Sequence, residues 1–187
     1  MPRREDYRLR PVAENDLEAV LLWRNSDRIR RNMYSDHIIT LQEHRGWFDR
    51  LATHRESVYL VFEIQGQPAG MVYFTDIDRD QGRCFWGFYL GDEAAPRGTG
   101  TVLGVLGMEY AFEALRIRKL CGEVFCFNTA SIKFFRRLGF SEEGYFVRHV
   151  LKEGRHEDIV SFALFEEDWQ GSRGTLEETA FFDGAQP

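Results

Sequence analysis

Apolar positions along this chain recur at two spacings, and the points where one spacing gives way to the other mark its elements. Tyr7-Arg-Leu-Arg-Pro11 alternates and predicts a short first strand. Over residues 16–23, Leu17, Val20, Leu21 and Leu22 fall at helical spacing behind Asn15, a residue type suited to an N-cap. Asn25 or Ser26 breaks that helix, which restarts with Ile29 and Met33, and a further helix over 41–51 carries Trp47, Phe48 and Leu51 on its apolar side. The middle of the chain changes to strands over 58–64, 70–77 and 84–90, whose short turns at 65–68 and 78–82 predict an antiparallel meander. Helical spacing returns over 102–117, with Leu103, Leu106, Tyr110 and Leu115 facing inward, followed by a strand over 120–127. A short helix over 129–138 is closed by Gly139, and strands over 145–151 and 158–165 make a final hairpin around Lys152-Glu-Gly-Arg155. From Gly171 the chain is small and polar apart from Phe181-Phe182, which predicts one α/β domain of the α+β kind over 1–168 and a mobile tail over 169–187.

Composition narrows the class. At 187 residues, 43% hydrophobic and with sixteen Phe, the chain fits one domain with a substantial core, and disorder is excluded for most of it. Cys84, Cys121 and Cys126 form no C-x-x-C pair and sit in apolar runs, so they are expected to be reduced thiols of a cytoplasmic protein. The N-terminus has no apolar leader and no segment reaches the length of a membrane span, so no membrane partner is expected. Net charge is −6, but residues 166–187 hold six acids against Arg173 alone. With the acidity gathered at one end and no basic surface, nucleic acid is not an expected partner.

The most specific chemistry lies where the aromatic-rich strand ending at Leu90 runs through Arg97-Gly98-Thr99-Gly100-Thr101-Val102 into a helix. Glycines let backbone N–H groups press against an anion, and a helix start adds unpaired donors and partial positive charge. A nucleotide P-loop would need Gly-Lys-Ser/Thr, and no lysine follows Gly100. The Gly98-x-Gly100-x-x-x-Gly104 spacing imitates a dinucleotide fingerprint, but that unit sits in a parallel sheet, and short-turned strands precede this one. A third reading is the coenzyme A pyrophosphate loop, Arg/Gln-x-x-Gly-x-Gly/Ala, with Val102 in place of the usual small residue. The glycines could also simply shape a strand-to-helix turn.

This loop, the order of elements over 7–167, and Asn128-Thr-Ala-Ser131-Ile-Lys-Phe-Phe135-Arg-Arg-Leu-Gly139-Phe140 together resemble the GCN5-related N-acetyltransferases (GNAT). The resemblance implies the GNAT fold: a mixed, mostly antiparallel sheet of about seven strands with about four helices, splayed between the strand before the glycine loop and the next. The stretch Trp23-Arg24-Asn25 to Met33-Tyr34 to His44 is similar to the flagellin-glycosylation branch that makes pseudaminic acid. That branch implies acetyl transfer from acetyl-CoA to the 4-amino group of UDP-4-amino-4,6-dideoxy-N-acetylhexosamine. Ribosomal-protein and polyamine acetyltransferases share the opening pattern and remain alternatives, and a non-catalytic acyl-CoA-binding module is the rival outside the class. A homodimer is compatible with all of these.

N-acetylation needs a neutral amine, a polarised thioester carbonyl and a route for the leaving thiolate. Glu123 interrupts the apolar strand on the face of Cys121 and Phe125, which makes it the leading base, with an outward carboxylate as the alternative. The resemblance also places a glutamate there. Backbone N–H groups around Tyr89, Leu90 and Gly91 are implied to polarise the carbonyl, and Arg97, Gly98, Thr99, Gly100, Thr101 and Val102 to hold the pyrophosphate. Asn128 is an N-cap by sequence logic and a pantetheine contact by resemblance, and Ser131 caps or touches the cofactor. Phe135 departs from the family, where tyrosine protonates the thiolate. The proton must then come from Tyr73, Ser131 or water, or the thiolate must leave unaided. Arg24, Arg28 and Arg31 recur at helical spacing, against a diphosphate or as a solvated face, and Arg24 alone matches a family position. Thr75, Tyr89 and His44 are carried over as substrate contacts, with Met33 packing on a base or in the core. The histidines and cysteines show no metal-ligand spacing, so no metal is expected.

Overall fold

The computed structural model describes residues 3–181, and Phe182 and the rest of the expected tail lie outside them. Among the described residues seven strands form one sheet in the order β1-β2-β3-β4-β5-β7-β6. They are β1 (Tyr7–Pro11), β2 (Val58–Ile64), β3 (Gln67–Asp78), β4 (Arg83–Leu90), β5 (Lys119–Phe125), β6 (Ser141–Lys152) and β7 (Arg155–Phe165). Every neighbouring pair is antiparallel except β4 and β5. This is the mixed fold expected from the sequence.

The helices are α1 (Leu17–Asn25), α2 (Asp27–Arg30), α3 (Leu41–Leu51), α4 (Thr99–Glu109), α5 (Thr129–Arg137) and α6 (Glu166–Phe181). Thr40 and Glu43 cap α3 reciprocally, Glu43 N–H to Thr40 Oγ1 at 3.2 Å and Thr40 N–H to Glu43 Oε2 at 2.7 Å, which fixes where the segment after α2 becomes helical again. The break between α1 and α2 falls at Ser26, as read. The start of α1 differs: Asp16 rather than Asn15 precedes it, held by Arg10 and by the Ala13 N–H. Leu22, read with the apolar set, is 72% exposed.

Helix α4 lies on β1 and β4 and is covered by α6. Thr99 and residues 101–108 are all buried, so α4 is apolar all round and starts three residues before the expected 102. The expected tail is corrected over 169–181, which belong to α6. Trp169 and Leu176, seven apart, drop into the core, Trp169 stacks on Phe112, and Arg173 pairs with Glu109, Glu113 and Glu177. Two glycines and several polar residues masked that stripe, and tertiary packing supplies what local propensity lacks.

Candidate active site

Strands β4 and β5 pair only at Arg83↔Lys119, Cys84↔Leu120 and Phe85↔Cys121, then separate. Beyond that point β4 keeps its hydrogen bonds to β3 alone. Gly91 donates its N–H to the Ala69 carbonyl at 2.8 Å, and since successive groups in a strand alternate, the Leu90 and Phe88 N–H groups face the gap while those of Tyr89 and Gly91 face β3. Arg28, read as a solvated face or a diphosphate ligand, instead closes the end of β4: its guanidinium donates to the carbonyls of Leu90 and Gly91, each at 3.0 Å.

The chain then turns through Gly98, whose φ of +91° only glycine adopts at ease, into α4. Thr99, Thr101 and Val102 turn their side chains inward at 1%, 8% and 2% exposure, which leaves the backbone outermost. The N–H groups of Gly98 and Gly100 make no hydrogen bond among the described residues, and Arg97 stands exposed beside them. Unpaired donors, a helix start and an arginine form a cradle suited to a diphosphate. On the far side of the gap, Asn128 caps α5 by accepting the Ser131 N–H at 3.1 Å.

Two cavities open on the other side of the splay. The larger, about 730 Å³, is lined by Arg24, Met33, Tyr34, His37, Glu43, His44, Trp47, Arg50, Tyr59, Met71, Tyr73 and Tyr89, among others. The smaller, about 310 Å³, lies at the splay point itself, where Gly87 of β4 meets Glu123 and Phe125 of β5, with Thr75 and Asp76 from β3. Met33, Tyr34 and Tyr73 are common to both and form the wall between them. The Tyr73 ring lies over Gly87 so closely that no Cβ would fit there, and among the described residues its hydroxyl reaches only the Met33 sulfur, at 3.7 Å. Arg24 is half-buried: one Nη donates to the Ser35 carbonyl at 2.6 Å, while Nη1 is buried without a partner among the described residues, and burial lowers its pKa. Of the residues singled out from the sequence, the structure brings Arg24, Met33, His44, Tyr73 and Tyr89 to one cavity, and Thr75 and Glu123 with Met33 and Tyr73 to the next.

The sequence model of the Acetyltransferase (GNAT) domain family matches residues 7–141, a span that covers the sheet through β5, the glycine turn and α5. The chain belongs to the GNAT acetyltransferases. It is therefore an acyltransferase by family. Spermidine N(1)-acetyltransferase of Escherichia coli (strain K12) is 25% identical over 186 residues, covering all of both chains. Acetyltransferase PseH of Campylobacter jejuni subsp. jejuni serotype O:23/36 (strain 81-176) is 28% identical over 129 residues, 67% of this chain and 77% of that protein. The crystal structure of spermidine N-acetyltransferase from Vibrio cholerae in complex with CoA and spermine superposes with a TM-score of 0.84 over 89% of this chain and 99% of that one, at 18% identity. That likeness extends to the fold.

Position 135 holds phenylalanine where the resemblance implies tyrosine. Phe135 is 4% exposed and packed among Trp86, Phe88, Phe140 and Phe162, with its ring edge where a Cβ on Gly122 would be. It fills the base of the splay rather than lining either cavity. Phe135→Tyr is expected to be destabilising by roughly 1–3 kcal/mol, because the added hydroxyl overpacks a dry ring cluster. Urea melts check this, and an unchanged midpoint would mean that the cluster has room.

His44 is 4% exposed, stacked on Trp47 at 5.0 Å, and its Nε2 is buried without a partner among the described residues. Burial lowers its pKa, so the folded state holds the ring neutral. A folded pKa below the unfolded value means stability fully present above the unfolded value of about 6.5 and lost as pH falls through and below it. The thermal midpoint is expected to drop between about pH 7 and 5, and to drop less in His44→Phe. Parallel pH profiles for the two proteins would instead assign the loss to other groups.

No helix of the described residues is long and apolar enough to cross a membrane, and no group of three His, Cys, Asp or Glu among them is placed to hold a metal. Cys84 and Cys121 are buried, free thiols, the first pushed up to about 12 by burial.

Proposed function

We propose that the chain transfers acetyl from acetyl-CoA to the amino group of a sugar carried on a nucleoside diphosphate, such as UDP-4-amino-4,6-dideoxy-N-acetylhexosamine of the pseudaminic acid pathway. One observation carries the choice of acceptor. The larger cavity is lined by Arg24, whose guanidinium has a buried Nη1 without a partner among the described residues, together with Arg50, His37, the neutral His44 ring and several aromatic rings. Its carboxylate, Glu43, is already engaged by the α3 cap and by His37. Such a lining suits an anionic, partly aromatic ligand and repels a polycation.

In this reading the Gly98 and Gly100 N–H groups with Arg97 hold the donor's pyrophosphate, Asn128 and Ser131 flank its arm, and the Leu90 N–H faces its carbonyl. The neutral amine attacks that carbonyl, Glu123 takes the amine proton, and the C–S bond breaks. Tyr73, Tyr89, Thr75 and Met33 orient the acceptor. A polyamine acceptor is the second reading, supported by the full-length likeness to spermidine N(1)-acetyltransferase, and Asp76 and Glu123 in the smaller cavity are the carboxylates it would use.

Thiol release from acetyl-CoA, followed with the sugar nucleotide, spermidine, spermine and a peptide N-terminus, decides between them. The sugar nucleotide is expected to exceed spermidine in kcat/KM by roughly 100-fold, with Arg24→Gln raising its KM. The reverse order establishes the polyamine reading. Tight acetyl-CoA binding without thiol release from any amine would leave a non-catalytic acyl-CoA-binding module.

A further inference from the structure

Position 135 offers no hydroxyl, so a proton for the departing sulfur must come from elsewhere. The segment between α2 and α3, residues 31–40, has no regular structure, yet its backbone is held at four points. Lys152 Nζ donates to the Met33 carbonyl at 2.8 Å, Arg24 to the Ser35 carbonyl and Arg30 to the Asp36 carbonyl, both at 2.6 Å. The Asn25 side chain bonds the Ile39 N–H at 2.8 Å and its carbonyl at 2.9 Å. Lys152 is itself 7% exposed, lies over the Phe125 ring at 5.4 Å and also reaches the Asp36 carboxylate at 3.3 Å. A strap pinned by three cations and an amide is pre-set.

What the strap delivers is Tyr34. Its ring packs on Phe125 at 5.5 Å and its hydroxyl donates to Glu123 Oε2, at the point where β4 and β5 part. The side chain stays 48% exposed and lines both cavities, so the hydroxyl is reachable from the gap. Tyr73 shares that wall, but it bonds a sulfur and has no carboxylate to return a proton to it.

We propose that Tyr34 is a catalytic residue that supplies the hydroxyl missing at position 135. The proposal rests on the acetyl-transfer reading of this site, whichever amine is used. The amine nitrogen bonds to the thioester carbon and its proton passes to the Glu123 carboxylate. The C–S bond breaks with its electron pair on sulfur, the Tyr34 O–H proton passes to that sulfur, and the Glu123 carboxylic acid returns its proton to the Tyr34 oxygen. Acetyl-CoA and amine become amide and free thiol, and both side chains end as they began. Burial, reinforced by the Glu123 anion, raises the Tyr34 pKa, which keeps the proton in place until Glu123 is neutralised.

The test is Tyr34→Phe with acetyl-CoA and the amine that the wild-type chain uses best. We expect kcat to fall at least about tenfold, acetyl-CoA affinity by calorimetry to stay within about twofold, and the solvent deuterium isotope effect on kcat to shrink toward unity. A kcat within about threefold of wild type overturns the proposal. So does a raised acceptor KM with the isotope effect unchanged, which would make Tyr34 a binding contact. A wild-type chain silent with every amine overturns acetyl transfer itself and the Tyr34 role with it, an outcome separate from an active wild type indifferent to the substitution.

Discussion

Glu123→Gln is expected to lower kcat by roughly 100-fold or more while leaving acetyl-CoA affinity and the acceptor KM nearly unchanged, since general-base catalysis of this kind contributes about 10²–10⁴. Gln keeps the shape and an oxygen that accepts the Tyr34 hydroxyl, so the local geometry should hold. Glu123 sits on β5 two residues past the last pairing with β4, and its strand is locked on the other side by Glu123↔Ser161 and Val124↔Val160 of β7. The carboxylate thus stands on a rigid element at the mouth of the gap, where an amine from either cavity would meet an acyl group from the other side. A variant with full kcat would reduce Glu123 to an anchor for Tyr34 and move the base to an ordered water. A variant that loses only acceptor KM would mark the carboxylate as a cation contact and strengthen the polyamine reading.

Much of this arrangement was legible because it is written in local pattern. Alternation and short turns gave the meander up to Leu90, and a charged residue interrupting an apolar strand drew attention to Glu123, which the structure puts at the splay. Gly98 was legible for the same reason, since a positive φ at a helix start needs a residue without Cβ, whereas Gly100 has ordinary helical geometry and was legible only through the motif. Features that depend on distant partners were not. The strap has no periodicity, and Lys152, which pins it, lies 119 residues away at the turn of the final hairpin. Arg28 looked like one of three helix-face cations until the Leu90 and Gly91 carbonyls were seen beside it. Phe135 is a further case. The motif fixes its place on α5, but only the ring cluster around it shows that a tyrosine hydroxyl would have no wet surface to reach.

Gly100→Val is expected to weaken acetyl-CoA binding by at least about tenfold, or about 1.4 kcal/mol, with little change in the thermal midpoint. The two glycines of the cradle separate here. Gly98 sits at a φ of +91°, so any side chain strains the backbone, and loss of binding in a Gly98 variant would be confounded with damage to the turn. Gly100 has ordinary helical geometry, and a Cβ on it would meet nothing nearer than Phe134 at 3.8 Å. The fold therefore has no need of glycine at 100. What a branched side chain would obstruct is the approach of an anion to the N–H groups of Gly98 and Gly100, which have no partners among the described residues. Calorimetry with acetyl-CoA, and with 3′-phosphoadenosine 5′-diphosphate as a probe of the pyrophosphate-bearing nucleotide without the pantetheine arm, reads the effect. Loss with both ligands places the pyrophosphate at this turn. Unchanged affinity for both in a folded variant would remove the site from residues 97–102 and leave the glycines as features of the strand-to-helix connection only.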